Sequence, residues 1–262
     1  MKGGVEFGFH GHTREQLTEL AQDRYTVVVP LAATEQHGPH LSVYTDSLIC
    51  DYISRHAVKR AVESGGAKLL LAPLLPFGCS GHHLAFGGTL SLSSTTYLQV
   101  LRDLGDSLIL SGFRRIIFLN GHGGNEHLMH QASQDLAVAH PVSVASASYW
   151  NIARDALAAA NATEVGRVPG HAGGFETSLV LALDQTMVQE ERIAVEHRGQ
   201  SLSSSGPAGT ILCKHGELTG VDGYTDSASR ASAQKGQEYL EMIVQAVSEW
   251  LSRTSAIMIG DD

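Results

Sequence analysis

Four apolar runs of strand length, Thr26–Ala33, Lys68–Leu75, Arg115–Asn120 and Val142–Tyr149, alternate with longer stretches that have helical periodicity. That alternation restricts the chain to an α/β architecture with a largely parallel sheet, because parallel neighbours need a crossover long enough to hold a helix. The first such helix is expected over Ser47–Glu63, where Ile49, Tyr52, Ile53, Ala57 and Ala61 form one stripe and Gly65-Gly66 closes the element. Thr95–Leu110 stops at Ser111-Gly112, Asn125–His140 stops at Pro141, and Gly174–Leu183 and Ala228–Leu251 supply two more. From about Arg198 to Asp226 the chain is rich in Ser and Gly with weak periodicity, which reads as a long excursion over the surface or into a neighbouring subunit. With no linker composition and no fixed repeat, residues 1–262 are expected to form a single domain.

A hydrophobic content of 43% against 17% charged residues supplies a sizeable core without disulfides. The three cysteines, Cys50, Cys79 and Cys213, are odd in number and far apart, so each is expected to be a small core or pocket residue in a reducing cytosol. A formal charge of −9 and a pI near 5.8 leave no basic surface for a phosphate backbone, and nucleic acid is not expected as a partner. The N-terminus has no apolar leader core, and the most apolar run, Leu69–Phe77, is broken by Pro73 and Pro76. A cytoplasmic protein without membrane contact is therefore expected.

Fourteen histidines stand against only 18 Lys plus Arg, and many lie beside Gly in apparent loops. Loops on a rigid scaffold are where binding and catalytic groups concentrate. The stretch EQHGPHLSVYTD follows the first apolar run directly. If that strand continued through Glu35 and His37, their side chains would share one face, and Gly38-Pro39 would let the chain bring Asp46 back to the same point. Three hard or borderline ligands would then converge on one cation.

Asn120-Gly121-His122-Gly123-Gly124-Asn125 ends the third run and opens a helix, where the carboxyl ends of parallel strands face a ligand crevice. His122 can project into that crevice. A phosphate cradle at the helix N-terminus is the rival reading, but the lysine of a P-loop is missing. In HAGGFETS, Glu176 stands at the start of an apolar helix. It could be a ligand or only a favourable charge for the helix dipole, with His171 a loop histidine. In FGCSGHH, His82 occupies the place where a nucleophile elbow needs Gly. Ser80 and its neighbouring backbone are read as substrate contacts, and His82 and His83 either as pocket residues or as solvated loop histidines.

In this order, EQHGPH…TD, SGHH…FGGTLSL, NGHGGN and HAGGFETS resemble the creatininase (creatinine amidohydrolase) family across residues 30–181. The resemblance implies a three-layer α/β/α fold with a mostly parallel central sheet, a two-metal centre and a homohexamer built as a trimer of dimers. Matched motif by motif, Asp46 would bridge two divalent ions (Zn, Mn or Fe), with Glu35 and His122 on one and His37 and Glu176 on the other. His171 would match the catalytic histidine.

The implied chemistry is amide hydrolysis of a small molecule by metal-activated water, with His171 shuttling the proton to the leaving nitrogen. Creatinine-hydrolysing members resemble NGHYEN where this chain has NGHGGN, so Gly123 and Gly124 replace an aromatic substrate contact and an acidic residue, and creatinine is not the expected substrate. A cyclic amide or formamide is. Alternatives are a peptidase trimming a cofactor-precursor peptide, as the family also contains, a non-catalytic metal-binding scaffold, and a serine hydrolase using Ser80.

Overall fold

The computed structural model describes residues 7–193 and 222–260, together with Pro207, Thr210 and Leu212. Most of the Ser/Gly-rich excursion and Cys213 lie outside the described residues. Helix α1 (Arg14–Gln22) is followed by β1 (Thr26–Leu31), α2 (Thr45–Gly65), β2 (Leu69–Leu71), α3 (Ser94–Leu110), β3 (Arg115–Asn120), α4 (Glu126–Ala139) and β4 (Ser143–Ser148). Short helices α5 (Tyr149–Ile152) and α6 (Arg154–Ala159) then lead to α7 (Gly174–Leu183) and the long α8 (Ala233–Gly260).

All four strands pair in parallel in the order β2-β1-β3-β4. Alternation along β1 explains why helices cover both faces. Val27, Val29 and Leu31 join Ile116 and Phe118 in a core with Tyr97, Leu101, Met129 and Leu136 of α3 and α4. Val28, with Ile117 and Leu119, faces Ile49 and Ile53 of α2, Leu179 of α7 and Ile243 of α8. Neighbouring residues thus point into different layers, the period-two rule of a strand buried on both sides. The fold is the expected three-layer α/β/α sandwich.

Element boundaries shift where prolines and loops intervene. Strand β1 stops at Leu31, not Ala33. Strand β2 stops at Leu71, ahead of Pro73, and pairing resumes only at an isolated bridge between Leu31 and Leu75. Helix α8 begins at Ala233 and runs to Gly260, later at both ends than the periodicity indicated. Helix α1 was not anticipated, although Thr13 and Gln16 form a capping box at its start. Among the described residues no helix is long and apolar enough to cross a membrane.

Candidate metal centre

The ends of the strands meet at one crevice, and buried amides tie them together. Asn120, the last residue of β3, donates from Nδ2 to the His122 carbonyl at 2.8 Å and to Ser148 Oγ at 3.0 Å, while its Oδ1 accepts from His122 N–H at 3.1 Å. Asn125 Nδ2 donates to the Ala32 carbonyl at 3.1 Å, and its Oδ1 accepts from Cys79 N–H at 3.0 Å. One residue therefore joins the loops after β1 and β2 to the start of α4. Ser47 Oγ donates to the Ala33 carbonyl at 2.9 Å, which seats the first turn of α2, and Asp46 with it, beside the end of β1.

Because β1 ends at Leu31, the shared strand face expected for Glu35 and His37 does not form. The loop still brings the two together, since with His171 their ligand atoms lie within 4.8 Å of one another, and each also approaches Asp46. His37 Nδ1–H donates to the Glu35 carbonyl at 3.1 Å and aims Nε2 at Asp46 Oδ1, 3.1 Å away, and at Glu176 Oε2, 3.8 Å away. His122 Nε2 lies 3.2 Å from Ser80 Oγ and 3.3 Å from the Cys79 carbonyl. Those acceptors leave His122 Nδ1 facing Glu35 Oε1 at 3.2 Å and Asp46 Oδ2 at 3.0 Å. Among the described residues four clusters have their ligand atoms within 4.8 Å of one another; besides Glu35–His37–His171 and Glu35–His82–His83, two triads share a carboxylate, Glu35–Asp46–His122 and His37–Asp46–Glu176. Asp46 belongs to both.

This donor set fits divalent cations. Each of the two histidines in the triads has its other ring nitrogen fixed by an oxygen acceptor, as metal-bound histidines do. Glu35 Oε2 is buried with no hydrogen-bond partner, and Asp46 Oδ2 lacks a well-directed one. Three carboxylates buried this deeply need positive charge nearby. Burial disfavours charge on His37, yet Asp46 and Glu176 outweigh it and raise its pKa to about 10. Burial likewise opposes charge on His122, and Glu35 and Asp46 overcome it to hold that ring well above the usual imidazole range. Burial pushes Glu176 up to about 8, assisted by the negative charge of Asp46 and resisted by His37. Without cations, protons occupy the positions that cations suit.

His171 sits over this centre. Its Nδ1 is 3.5 Å from Glu35 Oε1 and its ring centroid 4.4 Å from that of His37. Burial, reinforced by the positive charge on His37, holds it neutral. Residues 222–226, expected at the end of an excursion, instead return to the site and pin its loop: His171 N–H donates to Thr225 Oγ1 and Thr225 N–H to the His171 carbonyl, both at 2.9 Å. Glu176 Oε2 accepts from Ala172 N–H at 2.6 Å, linking the same loop to α7.

Sequence reasoning missed Gln36 and His40. The Gln36 amide touches both His83 and His171. His40 is buried, with Nε2 2.9 Å from Thr177 Oγ1. Both lie inside EQHGPH, and their place among polar residues directly after an apolar run is the signal that could have found them. His83 is buried beside Glu35, so it is no solvated loop residue, whereas His82 is half-exposed. Ser80 is fully buried. Ser80, His122 and Asp46 stand in the order of a nucleophile triad, but a hydroxyl with no exposed surface cannot reach a substrate as it stands. Gly123 is exposed, and a Cβ there would meet nothing within 4 Å. A cleft of about 510 Å³, lined by Gln36, His37, Val43, Phe86 and Tyr224 among others, borders the centre on the side of His37. Cys50 is buried and Cys79 half-buried, both as free thiols.

Comparison with known proteins agrees with this architecture. Residues 10–251 match the family model described as creatininase, creatinine amidohydrolase. The chain is similar to the mycofactocin precursor peptide peptidase of Mycobacterium tuberculosis, 30% identical over 251 residues and covering 92% of each chain. It is also similar to the creatinine amidohydrolase of Pseudomonas putida, 29% identical over 250 residues, covering 90% of this chain and 92% of the relative. Among solved structures, a mutant creatininase superposes with a TM-score of 0.77 at 27% identity, covering 95% of this chain and 99% of that one. A structure described as creatininase Mn gives a TM-score of 0.73 at 27% identity, covering 95% and 98%. Match over most of its length, shared fold and a buried His/Glu/Asp cluster together place the chain in the creatininase family, as a hydrolase acting on carbon–nitrogen bonds.

Proposed function

We propose that this chain holds two divalent cations, one between Glu35, Asp46 and His122 and one between His37, Asp46 and Glu176, and hydrolyses an amide bond in a small molecule, a cyclic amide or a formamide. The observation that carries this reading is the position of Asp46, whose Oδ1 meets His37 at 3.1 Å and whose Oδ2 meets His122 at 3.0 Å. Zn²⁺, Mn²⁺ and Fe²⁺ all suit a mixed imidazole and carboxylate set without Cys. Bound there, such ions supply a water of lowered pKa and polarise the scissile carbonyl.

The protein's own groups do the rest. Ser80 Oγ and the Cys79 carbonyl hold His122, and the Glu35 carbonyl holds His37, so both rings are oriented before any ligand arrives. His171 serves the scissile amide at Nδ1, on the side facing Glu35. Of the four residues expected to contact substrate, exposed Gly123 and half-exposed His82 keep surface for it. Buried Ser80 instead supports His122, and Gly124 offers only backbone. Open space at Gly123 supports a substrate other than creatinine. It also favours a second reading, a short peptide, in line with the peptidase similarity.

We further propose a cytoplasmic homo-oligomer, a hexamer; exposed apolar side chains at the cleft, Val43 and Phe86, support assembly with further copies. Sedimentation as a monomer at micromolar concentration would remove that part.

The primary test is metal content per chain, followed by chelator titration against a panel of cyclic amides, formamides and short peptides. About two ions per chain and activity that is lost on chelation and restored by Mn²⁺ or Zn²⁺ are expected. Chelator-insensitive turnover would favour the serine reading, and full turnover in His171→Ala would sink its assigned role.

A further inference from the structure

Gln36 stands between two candidate ligands, Glu35 and His37, yet its buried side chain is engaged elsewhere. Its Oε1 accepts from Gly38 N–H at 2.9 Å. Gly223 fences that oxygen so closely that a Cβ on it would lie 2.1 Å away. The amide is thereby oriented, and Nε2 faces His83 Nδ1 at 2.8 Å and His171 Nε2 at 3.0 Å. An amide NH₂ has two protons to donate and accepts nothing, so both ring nitrogens must offer a lone pair to it.

A neutral imidazole that accepts at one nitrogen donates from the other. His171 then carries its proton on Nδ1 and His83 carries its own on Nε2. Both of these nitrogens point at one oxygen: His171 Nδ1 is 3.5 Å, and His83 Nε2 3.8 Å, from Glu35 Oε1. The two rings stack with centroids 4.2 Å apart and planes 15° from parallel, so the orientation of one constrains the other.

We propose that Gln36 is a positioning residue whose single amide sets opposite tautomers in His83 and His171, so that His171 presents an N–H rather than a lone pair to the metal centre. The hydrogen-bond arrangement stands by itself; its catalytic consequence rests on the role given to His171 above. With its Nε2 lone pair engaged by the amide, His171 meets the metal centre from its Nδ1–H side. That N–H is placed to donate to charge developing on the scissile amide, on the side facing Glu35.

The test is long-range ¹H–¹⁵N spectroscopy of the full chain labelled with ¹⁵N-histidine, first metal-free and then with Zn²⁺. His83→Asn and His171→Asn assign the signals. The expected result is the Nδ1–H form for His171 and the Nε2–H form for His83. Gln36→Leu should abolish that opposed pattern, while Gln36→Glu, which places acceptors where the amide donated, should reverse it or protonate the rings. Because Gln36→Glu keeps the native shape, it preserves the test if the leucine variant fails to fold. Turnover of the best panel amide should fall about 10- to 100-fold in Gln36→Leu with metal content unchanged. Either ring in the other tautomer in the wild type, or an unaltered pattern in Gln36→Leu, would overturn the proposal. Full activity in His171→Ala alongside the expected tautomers would instead remove the reaction role of His171 and leave the hold of Gln36 on the two rings established.

Discussion

Gly124 packs directly against Cys79: a Cβ on the glycine would lie 2.1 Å from the Cys79 carbonyl oxygen and 2.6 Å from His122 Nε2. The loops after β2 and β3 therefore meet backbone to backbone, and that contact presents the Cys79 carbonyl to His122. Gly124→Ala must push the loops apart, at a cost of about 1–3 kcal/mol, and should weaken metal binding by displacing a partner of His122. Gly123→Ala, with nothing within 4 Å of the new methyl, should leave both properties unchanged. Thermal unfolding and metal content of the two variants check this, and equal effects would refute the packing argument.

Asp46 is the residue common to both triads, so its removal should cost more metal than removal of any partner. Asp46→Ala is expected to purify with neither ion tightly bound, whereas Glu176→Ala should retain the ion beside Glu35 and His122. Elemental analysis after desalting decides, and two tightly held ions in Asp46→Ala would count decisively against a shared ligand.

How far these features could be read from the residues depends on whether they are local. Buried strands such as RIIFLN and the glycine stops of helices are local signals, and the three-layer fold followed from their order. The polar residues directly after β1 and β3 were equally visible, because a strand end in a parallel sheet faces the crevice whatever the residues there do. Distance was not legible. The contact of Thr225 with His171 joins residues 54 positions apart, and a Ser/Gly-rich composition gave no sign that the chain would come back there. Gln36 was passed over for a different reason, since an amide between two metal-type ligands resembles a spacer until its partners at 47 and 135 residues' separation are known. Helix α1 carries a local signal of its own, the Thr13-x-x-Gln16 capping pair.

Acid should destabilise the fold through His40. Burial first, and the charge on His37 second, lower its pKa to about 4, and its Nδ1 is buried with no hydrogen-bond partner. The folded state thus keeps the ring neutral while the unfolded chain takes up a proton below about pH 6.5. Stability from this group is complete above that value and is lost as pH falls from 6.5 towards 4, because the unfolded state then binds more protons. His40→Gln sacrifices the ring's contact with Thr177 but has nothing to titrate. Denaturant unfolding of both proteins should show the wild type ahead at pH 8 and its lead shrinking by pH 5. A constant gap would show that His40 does not titrate as stated.

Metal loading should release protons and strengthen with pH. Without cations, His37 has a pKa of about 10 and Glu176 about 8, and His122 is also raised, so at neutral pH each of these groups holds a proton where a cation is proposed to bind. Raised values favour the protonated, metal-free state as pH falls, so apparent Zn²⁺ affinity should climb between pH 6 and 9. Titration calorimetry at pH 7 in buffers of different ionisation enthalpy should count about three protons released per chain, one from each of these groups. At pH 9, above the value for Glu176 but below that for His37, the count should drop by about one. Binding at pH 7 without proton release would mean that the buried carboxylates and imidazoles are not the groups that receive the ions.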